Sequence, residues 1–84
     1  MPNDPIILGL QALAWVAGQP DVGPRLLGVT GLDADSLRAA AGAPATLAAV
    51  LAFLENHEPD LVACADALDV RPQDLVAART VLES

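Results

Sequence analysis

The sequence contains no tyrosine and no lysine, and only one tryptophan, one phenylalanine, one cysteine and one histidine among 84 residues. Each scarcity removes a class of function. With Cys64 alone, no intrachain disulfide can form, and a reducing compartment fits. With His57 alone, any Ser–His or Cys–His device has to use that one imidazole. Four arginines face eleven acidic side chains, a net charge of −7. That balance repels a polyanion, because nucleic-acid binding needs cations on phosphates. It also opposes adsorption to anionic lipid, and favours solubility or a basic protein partner. No apolar run reaches the roughly 20 residues a membrane-crossing helix needs. The opening Met1-Pro2-Asn3-Asp4-Pro5 carries no basic n-region, and no cleavage site follows the Ile6 to Ala17 run, so a cytoplasmic protein is expected. The glycines occur singly, with no phosphate-cradling run. No alternating β-rich stretch occurs anywhere, which leaves an all-α fold.

What the chain does have is aliphatic mass. Hydrophobic residues make up 54% of it, and alanine, leucine and valine supply nearly all of them. The chain is organised around Ala45 to Leu54, where the Thr46 hydroxyl interrupts ten otherwise apolar residues. Leu47, Val50, Leu51 and Leu54 recur at i, i+3, i+4 and i+7, one helical stripe. Ala49, Ala52 and Phe53 cover its other sides, so this helix has to be buried by its neighbours. The expected architecture is one domain over residues 1–84, a compact bundle of five to six short helices around a central apolar helix at about 44–55.

Proline and glycine punctuate the rest. Asp4 and Pro5 read as N-cap and first helical residue, and the first helix runs to about Ala17, with Gly18 as a left-handed C-terminal residue. Ile6, Leu10, Leu13 and Ala17 are expected on one face, with Ile7, Ala14 and Trp15 alongside. A second helix spans Val22 to about Val29 and ends at Thr30-Gly31. Asp33 caps a third over Ala34 to Ala41. The central helix ends near Asn56-His57, ahead of Pro59. The fifth is expected over Asp60 to Leu68, burying Leu61, Cys64, Ala65 and Leu68. Pro72 opens the sixth, where Leu75, Ala78 and Leu82 share a face beside Val81. Gly31-Leu32 before Leu37 echoes Asp69-Val70 before Leu75 in spacing. Either a duplicated helix-turn-helix or two similar corners would produce that echo.

Four constellations invite a chemical reading. The corner from residue 60 to 82 looks like a DNA-reading helix-turn-helix, with Asp69 where a turn glycine would stand. Its sixth helix would offer Gln73, Asp74, Ala77 and Thr80. Its cations, Arg71 and Arg79, stand beside Asp69, Asp74 and Glu83 and cannot neutralise a phosphate backbone, so a plain helix–helix junction is the stronger reading. Glu55, His57, Glu58 and Asp60 crowd one loop, but Pro59 breaks the helix between them and helical metal pairs need ligands at i, i+3 or i+4 on a fixed surface. His57 is explained by its place near a helix C-terminus. Cys64 sits on an apolar face without a cation and reads as an inert buried thiol. Trp15 reads as core. No catalytic, cofactor-binding or metal residue is nominated.

Leu10-Gln11-Ala12-Leu13-Ala14-Trp15-Val16-Ala17, Thr30-Gly31-Leu32-Asp33 with Leu37-Arg38, and Leu47-Ala48-Ala49-Val50-Leu51 with Phe53-Leu54 together resemble a small acidic all-helical bacterial domain family of unknown function, mostly alphaproteobacterial. The resemblance covers nearly the whole chain, and Thr30-Gly31-Leu32-Asp33 is its most specific piece. Leu26-Leu27 stand where an aromatic is expected before that turn, a departure that concerns packing. The resemblance implies the helical fold and no activity, cofactor or site. The expected function is a non-catalytic protein-interaction or regulatory module, with helix-turn-helix DNA binding as the alternative. The first and central helices carry more apolar surface than one face can bury. A homodimer through the first helix, tightening as salt rises, is therefore expected.

Overall fold

Aspartate and proline set the helix starts in this computed structural model, which describes residues 4–84. The charge pattern of residues 1–3, part of the leader argument, lies outside that range. The elements are α1 (Pro5–Ala17), α2 (Val22–Thr30), α3 (Ala34–Ala39), α4 (Pro44–Glu55), α5 (Glu58–Ala67) and α6 (Pro72–Leu82), with no strand among the described residues. Asp4 Oδ1 accepts hydrogen bonds from the Ile6 and Ile7 N–H groups at 2.9 and 3.3 Å. Asp33 Oδ1 accepts from the Ser36 N–H at 2.7 Å. Both supply acceptors for donors that a first turn otherwise leaves unpaired.

Three local expectations are corrected. α5 begins at Glu58, two residues before its expected start, because Pro59 falls in the first turn, where its missing N–H has no partner to lose. α3 ends at Ala39, short of Ala41. Gly18 has φ −84°, so α1 closes in a right-handed turn. Among the described residues the left-handed positions are Gly31 at φ 73° and Asp69 at φ 58°. At Asp69 the chain closes α5 with paired reverse bonds, Asp69 N–H to the Asp66 carbonyl and Val70 N–H to the Ala65 carbonyl.

α1, α4 and α6 each pack against the other two, and α2 and α5 close the sides. Leu47, Val50, Leu51 and Leu54 of α4 lie at 0–1% exposure, at the centre of the core. Leu75 and Ala78 of α6 and Leu61, Cys64 and Ala65 of α5 complete it, with Leu68 and Trp15 half-buried at its edge. α3 is held by one buried side chain, Leu37.

α1 turns a different face inward from the expected one. Its buried residues are Leu8, Gly9, Ala12, Leu13 and Val16. Gly9 decides this orientation, since a Cβ built there would stand 2.9 Å from the Leu47 Cβ. The close approach of α1 to α4 is therefore available only on the glycine side. Ile6, Leu10 and Ala17 face outward, and of the expected stripe only Leu13 is buried.

Candidate interaction surface

α1 contains no charged side chain. Its outer face leaves Ile6 36%, Ile7 55% and Leu10 40% exposed. Toward the helix C-terminus that face descends into a groove of about 380 Å³ between α1, α2 and α3. Leu10, Leu13, Ala14 and Ala17 form one wall, Pro24 and Leu27 the second, and Leu37 and Arg38 the third. The second wall stands close to the first because Gly23 lies against the Val16 carbonyl, where a Cβ would be 3.1 Å away. Among the described lining residues Arg38 alone is charged. Its Nη1 donates to Asp35 Oδ1 at 3.0 Å, and both side chains are largely exposed, so the pair is worth little.

The other arginines are more deeply committed. Arg25 donates to Asp60 at 2.5 Å and lies over the Phe53 ring, tying α2 to α5 and α4. Arg71 pairs with Asp74 at 3.0 Å, and Arg79 bridges Glu55 and Glu83. The Asp74 carboxylate, which also accepts the Arg71 backbone N–H, is held below its ordinary range by those bonds. All four arginines thus already face a carboxylate.

The acidic loop resolves into separate pairs. His57 Nδ1 meets Asp60 Oδ2 at 2.7 Å, while Glu55 turns away to Arg79. Burial alone would raise the Asp60 carboxyl, but hydrogen bonds from Arg25 and His57 outweigh it and hold the group below the usual carboxylate range. Among the described residues no three His, Cys, Asp or Glu side chains gather as a metal set. Cys64 is fully buried, and desolvation pushes its thiol up to about 11. In that state it is a poor nucleophile. The α5–α6 corner has helix-turn-helix spacing, but α6 is packed against both α4 and α1 and its two cations are internally paired.

No groove was expected from the sequence, because apolar residues occupy every side of α1 and the face assigned to the core was Ile6, Leu10, Leu13 and Ala17 rather than Leu8, Ala12 and Val16. The overlooked sign was Gly9, a lone glycine in an apolar helix, which marks close backbone approach.

The class these observations define is an all-α bundle, six helices among the described residues, with an uncharged outer face on α1 and a groove whose one charged lining residue is Arg38. The chain belongs to a family described as a protein of unknown function, DUF3572, whose model matches residues 2–84. No curated protein matches the chain, and no solved structure does. Among the described residues no helix is long and apolar enough to cross a membrane.

Proposed function

We propose that this protein is a non-catalytic interaction module working through the outer face of α1 and the groove beside it. The observation that carries the reading is the continuity of Ile6, Ile7 and Leu10 with a groove of about 380 Å³ lined by one charged residue in twelve. Contiguous apolar surface of this kind is unusual on a monomer and marks a contact site. The chemistry elsewhere supports a binding role. The thiol is buried, the imidazole is bonded to Asp60, and Asp4, Asp33, Asp35, Glu55, Asp60, Asp74 and Glu83 are engaged by arginines or helix N-termini. A buried reduced thiol also suits a cytoplasmic setting.

DNA binding through α6 is the competing reading, and the pairing of Arg71 and Arg79 speaks against it. Two measurements separate them. A photo-cross-linker at Ala14, in the groove, is expected to trap protein adducts in the native cell, while one at Thr80 on α6 is not. The intact chain is expected to pass through a DNA or heparin column at physiological salt. Retention there, lost on Arg79→Ala, would reverse the ranking, and equal adducts from both positions would remove the groove from it.

A further inference from the structure

We infer that the occupant of the groove is α1 of a second copy of this chain, seated antiparallel about a two-fold axis near Leu10. The inference rests on the interaction reading above and names its partner. An isologous contact requires one patch that fits itself, and α1 carries both halves of such a patch. Ile6 and Ile7 stand proud three to four residues before Leu10, and Leu13 and Ala14 line the groove three to four residues after it. At about 1.5 Å per residue, an antiparallel pair centred on Leu10 places Ile7 of each protomer opposite Leu13 of the other. Ile6 then falls opposite Ala14. A parallel pair would set ridge on ridge and leave both grooves open.

Charge selects the same partner. The groove presents the Arg38 guanidinium, which disfavours a basic helix despite the net charge of −7. The charged residue at the ridge end of α1 is Asp4, of opposite sign. Asp4 spends Oδ1 on the Ile6 and Ile7 N–H groups, and among the described residues nothing donates to Oδ2, which can accept from a guanidinium. Arg38 spends Nη1 on a highly exposed Asp35, leaving Nε and Nη2 to donate. The antiparallel arrangement brings each Asp4 into the other protomer's groove, and α1 itself adds no like charges to the contact.

Sedimentation of the full chain from low micromolar to several hundred micromolar reads this directly. The expected result is a shift from 8.6 kDa to twice that mass, favoured by salt because the two acidic bodies repel. Leu10→Glu buries an unpaired carboxylate at the axis and is expected to weaken association about tenfold or more, with helical content unchanged. Val81→Glu makes the same change at a residue 57% exposed on α6 and is expected to leave the dimer intact. Arg38→Glu is expected to weaken it less than Leu10→Glu. A single species at the monomer mass throughout overturns the inference, as does a dimer that survives Leu10→Glu. If the monomer result comes with foreign-protein adducts from Ala14, the interaction reading stands and only the second copy is lost. If no adducts form either, both fall.

Discussion

At the scale of single residues, two glycines within helices are expected to respond oppositely to the same methyl group. Gly to Ala in a helix interior ordinarily stabilises by about 0.5–1 kcal/mol, through the conformational freedom removed from the unfolded chain. Gly28→Ala should show that gain, because nothing lies within 4 Å of its added Cβ. Gly9→Ala should instead destabilise by about 1–3 kcal/mol, the usual cost of overpacking. Its neighbour at 2.9 Å is the Leu47 Cβ, at the root of a fully buried side chain that has nowhere to turn. Paired urea titrations check the contrast, and a neutral Gly9→Ala would mean that glycine does not set the α1–α4 distance. Asp69 is the complementary case, a residue with a Cβ held at φ 58°. A left-handed backbone costs a non-glycine residue about 1–2 kcal/mol, so Asp69→Gly should raise stability by up to about 1 kcal/mol once glycine's own entropy is subtracted. The matching corner at Gly31 already has the permissive residue at the same spacing from its buried leucine, Leu37 there and Leu75 here.

The helices themselves differ in how far each was legible. Legibility was greatest in α4, where Leu47, Val50, Leu51 and Leu54 are buried as their spacing implies and Phe53 with them, but the cover expected on its other sides is incomplete, since Ala49 is exposed and Ala52 half-buried. Leu51→Ala should cost about 2–5 kcal/mol, since the side chain is completely buried among other core residues and the site cannot collapse cheaply. A loss well below 1 kcal/mol by denaturant unfolding would mean that the core is centred elsewhere. Helix starts were legible where Asp4 or Asp33 supplies a cap bond that its sequence position implies. The start of α5 was misplaced at Pro59, since proline reads equally as a breaker before a helix or a tolerated residue in its first turn. The face of α1 was not legible from periodicity. Apolar residues occupy every side of that helix, so tertiary contact alone picks Leu8, Ala12 and Val16 over Ile6, Leu10 and Ala17. The groove inherits this opacity, because its three walls come from elements brought together by the core. Arg38 belongs to it only through where α3 lands.

For the molecule as a whole, acid sets two electrostatic effects against each other. Protonating carboxylates relieves the self-repulsion of a chain with net charge −7. It also removes the carboxylate that joins α2 to α5, where Asp60 accepts from Arg25 at 2.5 Å and lies beside His57 at 2.7 Å. Asp60 titrates below its ordinary value in the folded state. A depressed carboxyl contributes stability that is present above the unfolded value, about 3.9, and is lost as pH falls through the folded value. Asp33, held down chiefly by the Ser36 N–H, and Asp74, held down chiefly by Arg71, act in the same direction. Distance decides which effect wins. Diffuse repulsion across the surface is screened within about 8 Å at physiological salt, while contact pairs are screened far less. In that salt the unfolding free energy should therefore fall as pH drops below about 4. At low salt the fall should be smaller, because relief of repulsion then offsets more of it. Asp60→Asn isolates the contact. It should be less stable than the wild type at pH 7, and the two should converge once Asp60 is protonated in both folded and unfolded chains. Urea unfolding across the acid range decides the point: parallel curves for the two proteins would mean that the α2–α5 tie contributes nothing through its charge.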